Sequence, residues 1–165
     1  MTALRARNWK PILAAAVAAM FVAILGALAT DLSPWYYALR KPDWQPPDWL
    51  FGPAWTLIFS LIALSAIYAW ERSSDPGIRA KVVALFTLNG SLNILWSVFF
   101  FRLKRPDWAL LEVALLWLSI LMMIVVLSRL SKTASWLLVP YLAWVTFASA
   151  LNFEVVRLNY PFRIL

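Results

Sequence analysis

Five apolar runs occupy residues 11–30, 53–70, 82–101, 108–127 and 136–156. Each is about 20 residues long, the length an α-helix needs to cross the hydrocarbon core of a bilayer. Lipid offers no hydrogen-bond partner, so each run must satisfy its own backbone N–H and C=O groups, which a helix does and an open sheet does not. The chain is 63% hydrophobic with a mean hydropathy of +0.74, against roughly 45–50% apolar residues in a soluble domain. The class predicted is therefore an all-α integral membrane protein. It is multi-pass, a bundle of five spanning helices in a single transmembrane domain over residues 1–165, with the lipid bilayer as its first partner.

Charge placement supports that class. The net charge is +7, but Lys and Arg sit almost entirely in the polar gaps between runs and at the chain ends. That pattern anchors a protein to anionic headgroups, and no nucleic-acid partner is expected. The ends of the runs carry Trp9, Trp70, Trp108 and Trp136, where amphipathic rings favour the interface. Arg5, Arg7 and Lys10 form a basic leader beside Trp9. Residues 14–29 read as the first span and not as a cleaved signal. Basic residues divide eight to seven between the two sides, so the positive-inside rule does not orient the chain.

Cysteine and histidine are both absent, which removes disulfides, Cys/His zinc sites and the usual axial ligands of haem. No metal site is predicted, no cofactor is required, and no His- or Cys-based nucleophile–base pair is available. Within the runs the only charged side chains are Glu112 and Glu154, each expected near a span end and able to reach the interface. Ion pumps need a charge near the midplane, so proton or ion transport is disfavoured.

Residues 34–55, between the first and second runs, hold four of the eleven tryptophans (Trp35, Trp44, Trp49, Trp55) and five of the ten prolines. Proline fixes φ and drives its predecessor out of the α region, so this stretch is expected to be neither helix nor sheet. It reads as a semi-rigid aromatic lid over residues 31–52. Three runs offer it something to cover. At 100° per residue, Asn89, Asn93, Trp96 and Phe100 share one face of the third run, an amide and an indole together. Pro140, Trp144, Phe147, Ala148 and Leu151 share one face of the fifth, and Trp55, Phe59, Ile62 and Ala66 one face of the second. Three aromatic stripes and a lid predict an internal cavity for a flat, hydrophobic small molecule. In the first run Ala15, Ala19, Ala23 and Ala27 recur every four residues, a stripe for close packing inside the bundle in preference to a dimer contact. The tail, Leu158 through Tyr160 to Arg163, fits a loose cholesterol-contact pattern that Pro161 weakens.

The lid is also a signature. Trp35-Tyr36 followed by Leu39-x-Lys41-Pro42-x-Trp44-x-Pro46-Pro47-x-Trp49-x-Phe51-Gly52-Pro53-x-Trp55 resembles the first loop of the TspO/MBR family, the tryptophan-rich sensory and translocator proteins, also known as the peripheral benzodiazepine receptor family. Asn93-x-x-Trp96-x-x-Phe99-Phe100, Trp108-Ala109-Leu110 and Pro140-Tyr141-Leu142-Ala143-Trp144-x-x-Phe147-Ala148-x-x-Leu151-Asn152 extend the likeness. The resemblance implies five spanning helices with the first loop closing over a ligand cavity, frequent homodimers, and porphyrins such as protoporphyrin IX as ligands, with sterols in eukaryotic members. It implies Trp55 and Trp144 as pocket tryptophans, Asn93, Trp96, Trp108, Ala148 and Leu151 as wall, and Phe51 and Gly52 at the lid edge. Phe100 and Phe147 join the wall from the stripes, and Trp35, Tyr36, Lys41, Trp44 and Trp49 are assigned to the lid, where Arg40 and Lys41 suit propionates. The function implied is tetrapyrrole sensing, regulation or transport. Alternatives are light-dependent porphyrin breakdown, with Trp55 and Trp144 as the candidate catalytic residues, and tetrapyrrole or sterol transport. Phe153 and Glu154 stand where the eukaryotic sterol motif begins with tyrosine, which implies a bacterial member and places high-affinity cholesterol binding in doubt.

Overall fold

The computed structural model describes residues 9–162. Arg5, Arg7 and Arg163, which carry the basic leader and the end of the cholesterol-like pattern, lie outside them. Five helices are long and apolar enough to span a membrane, and no strand occurs among the described residues.

The first span is α1 (Trp9–Ala29). The lid contains a short helix, α2 (Pro34–Ala38), and a single 3-10 turn at Asp48–Leu50 that runs into α3 (Phe51–Glu71). The third span is α4 (Pro76–Ser97), which ends in a π-helical turn, Val98–Arg102. The fourth is α5 (Pro106–Ser128). The fifth is broken into α6 (Lys132–Leu137) and α7 (Val139–Asn159).

Proline explains most of the boundaries. Pro34, Pro76 and Pro106 each open a helix, where a missing N–H costs nothing and φ is already helical. That is why residues 34–38 coil despite the expectation of no helix in the lid. Asp75 caps α4 by accepting from the Ile78 N–H at 2.8 Å, so the third span begins six residues before the apolar run does. Ser131 caps α6 in the same way, accepting from the Ala134 N–H at 3.2 Å. Pro140 has no N–H to offer Trp136 and its ring crowds that carbonyl, so the fifth span breaks at Leu138 between α6 and α7.

The spans form a closed ring. α1 packs against α3 and α4, α4 against α5, α5 against α7, and α6 bridges α3 and α5. Gly90 of α4 allows the closest approach to α1, since a Cβ there would stand 2.9 Å from Val22 Cγ2. Polar ties cross the apolar seams. Ser65 donates to the Ala134 carbonyl at 2.8 Å, Ser135 to the Ile124 carbonyl at 2.9 Å, and Trp117 Nε1 to Thr146 Oγ1 at 2.8 Å. α3 and α7 meet only lightly, and the space left between them at the lid end is the cavity.

Candidate functional site

A cavity of about 850 Å³ opens beneath the lid, walled by α1, α3, α4 with its π turn, and α7. Its α1 wall is made of small residues, among them Ala16, Ala19, Ala23 and Gly26. Most of the alanine stripe therefore leaves room for the cavity instead of closing a helix–helix seam.

The indoles form a connected set. Trp55 stacks on Phe59 at 5.4 Å and meets Trp144 edge-on at 6.5 Å. Trp144 is capped from the lid edge by Phe51 at 5.8 Å. Across the space Trp96 stacks on Phe100 at 5.2 Å. The π turn permits this, because its extra residue lets Phe100 and Phe101 both turn inward and be buried, a local distortion common at functional sites. Asn93 lines the cavity and donates from Nδ2 to the Tyr141 hydroxyl at 3.2 Å, which holds its amide in one orientation.

The lid is a folded unit. Tyr36 is buried, tilted against Phe101 at 5.7 Å, and the Lys41 ammonium lies 3.6 Å from its ring centroid. Its hydroxyl donates to Asp48 Oδ1 at 3.1 Å, and Gln45 Nε2 donates to the same oxygen at 3.3 Å. The lid is pinned to the end of α7 by Asn159, whose Oδ1 accepts from the Arg40 N–H and whose Nδ2 donates to the Arg40 carbonyl, both at 2.8 Å. Trp35 leans edge-on against Phe100 at 6.4 Å and Trp44 against Phe147 at 5.8 Å.

Of the residues named from the sequence, Phe51, Gly52, Trp55, Asn93, Trp96 and Phe100 line the cavity, as do Trp144, Ala148 and Leu151 on α7. Tyr36 and Lys41 line it from the lid. Phe147 does not line it but supports Trp144 at 5.5 Å and receives Trp44. Trp108 is displaced from its expected place. It is 41% exposed, edge-on to Phe99 and beneath the Arg105 guanidinium. α5 stands behind α4 and α7 and supplies none of the described lining residues. Trp49, at 71% exposure, points away from the cavity's wall. On α3 the inner face is turned from the expected stripe, with Thr56, Ser60 and Ala63 lining where Ile62 and Ala66 do not.

Three polar features went unread in the sequence. Gln45 and Asp48 complete the lid's polar cluster, and a Gln and an Asp three residues apart in a proline-rich loop carry little signal. Asn152, 1% exposed, lines the cavity and donates to the Pro106 carbonyl at 2.8 Å, joining α7 to the start of α5. Glu112 overturns its expectation outright. It is 4% exposed, and neither carboxyl oxygen has a hydrogen-bond partner among the described residues. It does not reach the interface, because it lies on the inward side of α5, while Leu111 and Leu115 take the exposed side of the same helix. Glu154 does pair outside the core, with Arg157 at 2.7 Å.

Burial, with the Asp48 carboxylate beside it, pushes the Tyr36 hydroxyl up to about 12. Its folded value thus exceeds the ordinary value near 10, so Tyr36 stabilises the folded lid fully below pH about 10 and ceases to do so as pH rises through about 12. The contribution lost is on the order of 2–3 kcal/mol. Thermal melting followed from pH 9 to 12 is expected to fall for the wild type and to fall less for Tyr36→Phe, which has no phenol to ionise.

Helix count, lid and cavity together define a multi-pass α-helical membrane protein with an aromatic cavity beneath its first loop. Comparison with known proteins places it further. The TspO/MBR family model matches residues 13–158. The chain is 44% identical to Tryptophan-rich protein TspO of Chlorobaculum tepidum over 130 residues, covering 76% of this chain and 80% of that one. It is 40% identical to the protein of the same name from Archaeoglobus fulgidus over 154 residues, 92% and 99% of the two chains. It is 34% identical to human Translocator protein over 130 residues, 78% and 77% of each. The chain belongs to the TspO/MBR family.

Proposed function

We propose that this protein binds a flat, largely apolar tetrapyrrole such as protoporphyrin IX inside the lidded cavity, and acts in tetrapyrrole sensing, regulation or transport. The observation that carries the reading is the convergence of Trp55, Trp96 and Trp144 on one cavity with a lysine at its lid end. Stacked indoles suit the faces of a macrocycle. The Lys41 ammonium suits a propionate. A chain without His or Cys favours the free base over axially ligated haem.

In detergent, protoporphyrin IX is expected to quench tryptophan fluorescence saturably. Trp55→Phe or Trp144→Phe should weaken binding about 2- to 12-fold, as expected for loss of about 0.5–1.5 kcal/mol of aromatic contact. Quenching that is linear with concentration and indifferent to both substitutions would sink the assignment.

A second reading is favoured by the edge-to-face placement of Trp55 and Trp144 at 6.5 Å. In it the two indoles assist light-dependent breakdown of the bound porphyrin, with dioxygen as oxidant. Illumination in air should then bleach the Soret band faster with wild type than with the double Trp→Phe variant, and equal rates leave a binding protein only. A homodimer, if formed, would use outer faces, since Ala19, Ala23 and Ala27 of the α1 stripe face the cavity. A bacterial membrane remains the proposed location, resting on Phe153 and Glu154.

A further inference from the structure

Glu112 is the buried group that ligand binding leaves unused. An unpaired carboxylate inside a membrane bundle is costly and marks a functional position by default. Here no counter-charge explains it. α4 and its π turn carry no acidic or basic residue from 82 to 101, α7 none from 139 to 153, and α5 none but Glu112 from 108 to 128. Arg102 reaches away to the Leu28 carbonyl, Arg105 binds Asp107, and Arg157 binds Glu154. On α6, Lys132 is exposed.

The neighbours of Glu112 lead to the cavity. Asn89 Nδ2 donates to Ser119 Oγ at 2.8 Å, which sets the register of α4 against the antiparallel α5. Seven residues along each helix from that bond, about 10 Å and two turns on, Trp96 and Glu112 come to one level of the bundle. Trp96 lines the cavity, and its buried Nε1–H has no partner among the described residues. Tyr141, on the helix α7 that packs against α5, is fully buried. Its hydroxyl accepts from Asn93, whose side chain lines the same cavity.

We propose that Glu112 is a proton-binding site linked to the cavity at Trp96, so that ligand occupancy and the protonation of this carboxyl are coupled. In this proposal the proton is exchanged with bulk solvent by way of the cavity, which Trp96 lines. A ligand seated against Asn93 and Trp96 displaces water from the cavity and changes the solvation that the carboxyl sees. By linkage, binding must then change the number of protons held. The proposal rests on the tetrapyrrole-cavity reading, and its test separates the two.

The probe is protoporphyrin IX dimethyl ester, which has no propionates to titrate. Its binding is measured calorimetrically in two buffers of different ionisation enthalpy at the same pH. The wild type is expected to show a buffer-dependent enthalpy across part of the accessible pH range. Glu112→Gln should bind the ester and lose that dependence. Binding by wild type with no buffer dependence at any pH overturns the proposal while leaving the cavity reading intact. A dependence that persists unchanged in Glu112→Gln overturns it as well. Absence of ester binding by the wild type removes both.

Discussion

Ala148→Trp is expected to lower protoporphyrin affinity by about 100-fold or more while the bundle stays folded. Ala148 lines the cavity on α7, one turn beyond Trp144, and is the smallest of the residues that α7 contributes. An indole there occupies the space a macrocycle needs beside Trp55 and Trp144. It also fills an existing void, so the substitution does not force overpacking of a close-packed core. The two readouts therefore separate. Saturable quenching should disappear, and the melting temperature in detergent should hold or rise. Wild-type affinity in this variant would put the ligand somewhere other than the cavity.

Asn159→Ala addresses the lid. Its amide makes two hydrogen bonds to the backbone of Arg40 at 2.8 Å, and these are the described contacts that pin the lid to the end of α7. Each is worth roughly 0.5–1.5 kcal/mol net. Their loss should speed porphyrin release about 5- to 150-fold. The effect belongs in the off-rate, because the lid must open for exit whereas the cavity walls are unchanged. A stopped-flow chase of bound porphyrin measures it directly. An unaltered off-rate would mean that the ligand leaves by a route the lid does not close.

The two variants bear on different parts of what could be read from the chain. The five spans were legible because hydrocarbon imposes one length and one backbone solution on all of them. The lid was legible because tryptophan and proline at that density suit neither water nor lipid. Helix ends shifted where short-range chemistry overrode hydropathy, as at Asp75-Pro76 and at Leu138 before Pro140.

The inner faces were harder to read. A spanning helix is apolar toward lipid and toward its neighbours alike, so periodicity marks its inner side poorly. On α3 the cavity side proved to be the small and hydroxylated one, Thr56, Ser60 and Ala63, flanking Trp55 and Phe59. Trp108 shared a sequence motif with the wall residues but belongs to α5, which the ring places behind the wall. Glu112 was misjudged for the same reason. Its distance from the helix end suggested access to the interface, whereas access is decided by the helices that pack on α5, and no single helix records which neighbours will cover it. The lid's Tyr36–Asp48–Gln45 cluster and the Asn159 clasp depend on residues brought together by the turns, including one pair 119 positions apart.

The most direct measurement of the central claim is a density map of the protein bound to protoporphyrin IX. The macrocycle should lie beneath the lid, against Trp55, Trp96 and Trp144, with a propionate directed toward Lys41. A porphyrin seated on the lipid-facing surface or between two copies of the chain, with the cavity empty, would contradict the account.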